Sequence, residues 1–279
     1  MDYLVSNLLQ DAFRKIGITT TGVATGGSTT SVIDTGIGDR YTDDDMKDGT
    51  VFIVRDAGGS NAAPENQWGV ISAYVQSTNT FTISALTAAV ASGDTYMFTM
   101  PFISIYEMLE LANQALKSLG DIAAVYSTFT TAAQQTEYNL PTALKRGDII
   151  RADLQTNSAD SNDNGWVPIS NWSIIPAAPG STGLFVIPQY TSGYTIRIIY
   201  NGIHPVLTAY NSPISESVHP ELISNMLVKA ALGWYNGRTG GSEDYWLQKE
   251  NEYAQKVQVS KAEFSVWKPA QATKWNITY

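Results

Sequence analysis

The chain has no cysteine, which excludes disulfides, thiolate metal sites and thiol nucleophiles. It has two histidines, His204 and His219, each followed directly by proline. No HExxH, G-x-S-x-G or P-loop pattern is present, so the usual signatures of metalloproteases, hydrolases and nucleotide enzymes are missing. Charged residues make up 15% of the 279 positions, against about 25% in ordinary soluble domains. The net charge of −9 argues against a grip on nucleic acid, which needs clustered Lys and Arg. Lys145-Arg146 with Arg151 is the nearest approach to a basic patch. No apolar run approaches the roughly 20 residues of a membrane span. The start, Met1-Asp2-Tyr3-Leu4, lacks the basic-then-apolar design of a signal peptide. A soluble chain made in the cytoplasm, with no membrane partner and no cofactor, is the expectation.

What fills the composition is Thr, Ser, Asn and Gly, with aromatics at 11%. Such a mixture suits extended β structure and subunits that bury surface against neighbours. An ordinary β-rich domain has the same composition.

Two kinds of pattern alternate along the chain. Residues 3–16 place Leu4, Val5, Leu8, Leu9, Ala12, Phe13 and Ile16 on one helical face, and Gly17 stops the run. From Ile18 to Met100, Gly- and Thr-rich turns separate short apolar runs at 31–34, 51–54, 70–75, 81–83 and 95–98, the spacing of a small β-barrel or sandwich. Ser104 to Glu107 spells a capping box, and apolar residues recur at helical spacing from Ile105 to Leu119 before Gly120. Strands return from about Val125 to Tyr210, at 136–140, 148–152, 173–175, 184–187 and 195–200. Prolines 168, 176, 179 and 188 mark edges and bends there.

Two amphipathic helices close the pattern. The first opens at Pro220-Glu221, carries Leu222, Ile223, Met226, Leu227, Ala230, Ala231 and Trp234, and is expected to end at Gly237 and Gly240-Gly241. The second is capped by Ser242 and presents Trp246, Tyr253, Val257 and Phe264 on one side. The expected fold class is α+β: a small helical-bundle core from 1–17, 101–124 and 211–264, an inserted β module at 18–100, a second β-rich segment at 125–210, and an extended arm at 265–279. Insertion at a surface loop leaves such a helical core undisturbed.

Candidate chemistry is sparse. His219 before Pro220 reads as a helix boundary or cap. Asp43-Asp44-Asp45 with Asp48 has the oxygens for a hard cation, but reads more simply as a solvated turn before a strand. Asp160 to Gly165 matches the first half of a calcium loop, yet Asn171 stands where the bidentate glutamate belongs, so a polar hairpin turn is the better reading. Arg146-Gly147-Asp148 spells an adhesion tripeptide and is equally a turn into a strand. Catalytic, cofactor and metal residues are therefore assigned to none.

The arm is different. Val266-Trp267-Lys268-Pro269 through Trp275-Asn276-Ile277-Thr278-Tyr279 keeps no helical period, and its tryptophans gain little from lying in water. Each buries on the order of 150–250 Å², roughly 4–6 kcal/mol gross at about 25 cal/mol/Å². Ordering the arm consumes much of that. An aromatic arm with no periodic partner points to an assembly protein.

The layout resembles the tailed-phage head-to-tail adaptor (connector, or head-completion) family. The resemblance rests on the early helix ending Lys15-Ile16-Gly17, the helix Ile105 to Leu119, the pair Pro220 to Trp234 and Tyr245 to Phe264, and the extension after Phe264. Tyr41-Thr42-Asp43-Asp44 and Gly93-Asp94-Thr95-Tyr96 bracket a β module similar to decorations on phage proteins. The resemblance implies a non-enzymatic virion protein of the neck, assembled in the host cytoplasm. It implies a ring beneath the portal, commonly twelvefold, that extends the DNA channel and docks tail or nozzle proteins. Double-stranded DNA would pass an acidic wall without sequence-specific binding. Portal contacts would come from Trp267, Lys268, Pro269, Trp275, Ile277 and Tyr279. Like subunits would pack through Leu222, Met226, Leu227, Trp234, Trp246, Tyr253 and Val257.

A second reading has a tail, fibre or baseplate subunit whose β surface stacks host glycan on Trp166, Trp172 or Tyr190. Core packing explains the same aromatics.

Overall fold

The computed structural model describes residues 3–59, 62–140, 149–155, 165–175, 183–240 and 244–264. The chain forms two compact units, one made of Met1–Ser118 with Pro205–Ser265, the other built on Leu119–His204. The first unit joins α-helices to an antiparallel sheet and the second is built of antiparallel strands, an α+β architecture.

In the first unit, α1 (Val5–Ile16) buries Val5, Leu8, Leu9, Ala12, Phe13 and Ile16 completely, as its period demands. Gly17 ends it at φ 87°, a left-handed conformation that costs glycine nothing. Seven strands follow: β1 (Thr19–Val23), β2 (Gly26–Ser28), β3 (Ser31–Ile33), β4 (Thr50–Arg55), β5 (Trp68–Val75), β6 (Thr80–Ile83) and β7 (Thr95–Thr99). They pair in the order β1-β7-β4-β5-β6-β3-β2, antiparallel in every neighbouring pair. The two end strands of that order, β1 and β2, are joined by only Ala24 and Thr25. The sheet therefore curls until its ends approach, and Ala24 N–H donates to Asp94 O at 2.8 Å while Thr25 N–H donates to Ile33 O at 2.7 Å. Val32, Val51, Ile53, Tyr74, Phe81 and Phe98 fill the inside.

β1 and β2 were not expected from sequence. Threonine and glycine supply no apolar alternation there, and Gly22 is required by close approach: a Cβ would sit 2.8 Å from the Tyr96 hydroxyl. The aspartate run is a strand-fixing loop. Gln76 N–H donates to Asp43 Oδ1 at 2.7 Å, Tyr74 N–H to Asp44 Oδ1 at 3.1 Å, and Thr42 N–H to Asp45 Oδ2 at 2.7 Å. The Thr42 N–H, with the Thr42 hydroxyl donating to Asp45 Oδ1 at 2.8 Å, holds the Asp45 carboxyl below its ordinary pKa.

After the sheet comes α2 (Ile105–Ser118), whose second turn is started by Ser104 Oγ accepting from Glu107 N–H at 3.1 Å. The unit closes with α3 (Pro220–Thr239) and α4 (Asp244–Glu263). α1, α2 and α4 all pack against α3. This explains why Leu222, Ile223, Ser224, Asn225, Met226, Leu227 and Val228 are buried in succession, a helix enclosed on every side rather than one with a single apolar stripe. α3 also runs through Gly237, against the sequence expectation, and ends at Gly240 with φ 74°. One glycine in a helix costs only about 1 kcal/mol relative to alanine, too little to stop a helix already held by three neighbours.

The second unit has β8 (Ile122–Thr130), β9 (Glu137–Asn139), β10 (Ile149–Gln155), β11 (Trp166–Pro168), β12 (Ser173–Ile175), β13 (Leu184–Val186) and β14 (Thr195–Gly202). β8 starts three residues before the expected Val125. The strands form a four-stranded sheet, β11-β10-β14-β8, and a three-stranded sheet, β12-β13-β9. Pro168 falls on the edge strand β11, where its missing N–H breaks no ladder. Tyr138, Leu154, Phe185, Ile196 and Ile198 form the core. Asp153, fully buried, pairs in register with Arg197 across β10 and β14 and forms ion pairs with both Arg197, at 2.9 Å, and Arg151.

Candidate interaction surface

The first feature of note is the meeting of α1, α3 and α4. His219 caps α3, its Nδ1 accepting from Glu221 N–H at 3.2 Å, which is the boundary role expected from sequence. Phe264 stacks on the His219 ring at 3.7 Å between centroids and 1° between planes. The last described residue of α4's chain is thus fixed to the start of α3. At the C-terminal end of α1, Lys249 Nζ donates to Ile16 O at 2.6 Å and the Tyr253 hydroxyl donates to Lys15 O at 3.4 Å. These bonds satisfy carbonyls that a helix end leaves open, and place a cation where the helix dipole favours it.

The second feature is an aromatic elbow where α3 gives way to α4. Phe102 stacks on Tyr235 at 3.9 Å and 20°, with Trp246 4.9 Å from Phe102. Tyr245 lies edge-on to Trp246 at 4.8 Å and is 60% exposed. Cations cover the faces: Arg238 lies 5.2 Å over Trp234, and Lys249 5.5 Å over Tyr245. Beside this cluster a cleft of about 610 Å³ is lined by Asp48, Phe102, Glu107, Trp234, Tyr235 and Arg238. Aromatic residues and arginine are enriched at protein-contact surfaces. Sequence reasoning picked Trp234 and Trp246 but missed Phe102, Tyr235 and Tyr245. Tyr235 lies next to Trp234 and off the counted stripe, and Phe102 precedes its helix.

A second cleft, about 560 Å³, opens on the curled sheet beside Asp34, Arg40, Tyr41 and Tyr96. The Tyr96 hydroxyl donates to Asp34 Oδ2 at 2.8 Å, and Gly36 N–H donates to Asp34 Oδ1 at 2.8 Å. Burial first, then the bond to Asp34 and its charge, push the Tyr96 phenol far above its ordinary pKa. Because the folded value is raised, this contribution to stability is intact below the unfolded phenol's pKa of about 10 and is lost as pH rises through it. Urea midpoints are therefore expected to stay level to about pH 10 and then fall, with a shallower fall in Tyr96→Phe. Equal slopes in the two proteins would remove Tyr96 from the account.

The sequence-predicted residues divide sharply. Leu222, Met226, Leu227, Tyr253 and Val257 are buried within the single chain, at 8% exposure or less. Trp234 and Trp246 are half-buried and keep surface to offer. Trp267, Lys268, Pro269, Trp275, Ile277 and Tyr279 lie outside the described residues, as do Ser242, Arg146-Gly147-Asp148 and Asp160 to Asn164. Of the aromatics considered for glycan, Trp172 packs 5.7 Å from Phe185 and Tyr190 packs on the second core. Trp166 lies under the Arg197 guanidinium at 4.4 Å. Arg151 is occupied by Asp153. His204 is buried. Among the described residues, no cluster of three or more His, Asp or Glu is placed to hold a metal ion, and no helix is long and apolar enough to cross a membrane.

The described residues thus combine enclosed helices, antiparallel sheets and a half-buried aromatic elbow that keeps surface exposed. The sequence profile of the SU10 adaptor protein family matches residues 82–273, more than half of the chain, and the chain belongs to this family of phage head–tail adaptors. The match begins in β6, covers α2, α3, α4 and the whole second unit up to His204, and continues past α4 into the arm. No curated protein matches the chain.

Proposed function

We propose that the chain assembles into a ring, twelvefold as is common among adaptors, beneath the portal in the neck of the virion. The ring extends the DNA channel and offers its far face to tail or nozzle proteins, after assembly in the host cytoplasm. The observation that carries this reading is the extent of the family match, which takes in α2, α3 and α4 and reaches residue 273 of the aromatic arm. The arm, through Trp267, Lys268, Pro269, Trp275, Ile277 and Tyr279, is assigned to the portal. The residue just before it, Phe264, is stacked on His219 and so ties the end of α4 to the start of α3.

Neighbouring subunits meet through helical surface. Since Leu222, Leu227, Tyr253 and Val257 already serve the subunit's own core, the contact falls to residues with surface left, Trp234 and Trp246 among them. The net charge of −9 suits a channel wall that DNA passes without exchanging its counterions for lysines.

The test is to mix the purified chain with portal rings and measure particle mass, for the full chain and for a version ending at Phe264. A mass increase by a fixed multiple of subunits, absent after truncation, is expected. Binding that survives truncation would move the portal contact off the arm. No binding by either form would withdraw the adaptor ring.

A further inference from the structure

Where α1 ends against α3, an amine, a carboxamide and a carboxylate converge. Lys15 Nζ lies 3.0 Å from Asn225 Oδ1 and 3.0 Å from Glu221 Oε2. The other oxygen of the same carboxylate, Glu221 Oε1, accepts from Asn225 Nδ2 at 3.1 Å, and Ser260 Oγ of α4 accepts from that nitrogen at 2.9 Å. Asn225 is 3% exposed, so bulk water is largely kept from its amide carbon. Glu221 thus bridges a nucleophile and the nitrogen that would leave on attack. A simple ion pair between Lys15 and Glu221 needs no buried carboxamide between them.

We propose that Lys15 and Asn225 join in an intramolecular isopeptide bond, with Glu221 carrying the proton. The Glu221 carboxylate takes one proton from the Lys15 ammonium, freeing the nitrogen lone pair. That nitrogen attacks Asn225 Cγ, forming the new C–N bond and a tetrahedral centre whose oxygen holds the displaced electron pair. Glu221 returns its proton to Nδ2, the carbonyl re-forms, and the old C–N bond breaks with its electron pair on the departing ammonia, which takes the further proton released by the attacking nitrogen. One ammonium and one carboxamide yield one secondary amide and one ammonium ion. Nothing is oxidised or reduced, and no co-reactant enters.

Burial works to raise the pKa of Glu221, but the hydrogen bond and charge of Lys15, with Asn225 and His219, outweigh it and hold the carboxyl below its ordinary value. Glu221 is therefore ionised and available as a base at neutral pH, though a weak one, so closure is slow. The bond would tie the first helix to the central one across a sequence separation of 210 residues. It does not depend on the ring: a chain that fails to bind portal still carries or lacks it.

The test is the intact mass of aged, full-length protein under denaturing conditions, followed by proteolysis. The expected result is a mass lower by one ammonia and a branched peptide joining the Lys15 and Asn225 segments. Lys15→Arg and Glu221→Gln, which keep charge or shape, should both retain the linear mass. A linear mass after ageing overturns the proposal. So does an ammonia loss that persists in Lys15→Arg, which would belong to cyclisation at an Asn-Gly pair such as Asn201-Gly202.

Discussion

Asp153→Ala is expected to destabilise the second unit by about 3 kcal/mol, a large share of what holds a domain folded. The carboxylate has no exposure, and its two oxygens are divided between Arg151 and Arg197. Removing it leaves two guanidinium groups facing each other across β10 and β14 with one negative charge fewer. Their side chains are 29% and 19% exposed, so water relieves part of the repulsion and keeps the loss at the lower end for a broken buried pair. Arg197 also covers Trp166, and a displaced guanidinium would uncover that ring on the edge strand. Asp153→Asn, which keeps the shape and loses the charge, should cost about half as much. Denaturant unfolding, with hydrogen exchange to assign the transition, measures both. Protection lost in β10, β11 and β14 while α1 to α4 stay protected is the expected pattern. An unchanged midpoint in the alanine variant would mean that the two arginines are held by other groups.

What sequence could and could not give follows from where the information lies. α1 and α2 were legible because a helix that buries one face prints its period in the chain, and Gly17 and Ser104 mark the ends. β4, β5, β6 and β7 were legible because their interior residues are apolar and bounded by turns. β1 and β2 were not. Thr19 to Thr21 supply no apolar alternation, and Gly22 and Gly27 stand where a Cβ would lie 2.5 Å from Asp34 and Ser31, which leaves no hydrophobic signature. α3 was legible as a helix but not as the central one, because a helix covered by three others loses the contrast between faces.

The same distinction governs the functional residues. The His219 cap could be read from His-Pro-Glu, since the signal is local. The pairing of Lys15 with Asn225, and the stacking of Phe102 on Tyr235, depend on segments brought together only by folding. The assignment of Leu222, Leu227, Tyr253 and Val257 to packing between subunits came from counting apolar residues, which does not tell the inside of a subunit from the inside of a ring. Their burial within one chain directs attention to the elbow around Trp234 and Trp246 instead.

Replacing both Trp267 and Trp275 by alanine in the full-length chain is expected to weaken portal association by roughly 1,000-fold per arm, from about 2 kcal/mol for each tryptophan. The gross burial of each ring is worth roughly twice that, but association has its own entropic cost, so only the surplus appears as affinity. In a ring every arm engages at once, so the loss repeats at each subunit and turns permanent attachment into exchange. The folded body should not change, because both residues lie beyond the end of α4 at Glu263. Circular dichroism and thermal midpoint are therefore the controls, and retention on portal rings during sedimentation is the readout. Each single variant should fall between the parent and the double variant, with tryptophan-to-phenylalanine changes milder than changes to alanine. Retention unchanged in the double variant would take the portal contact away from the arm's tryptophans. The elbow surface of Phe102, Tyr245 and Trp246 would then be the place to substitute next, since it is a described site where aromatic side chains keep exposed surface beside cations.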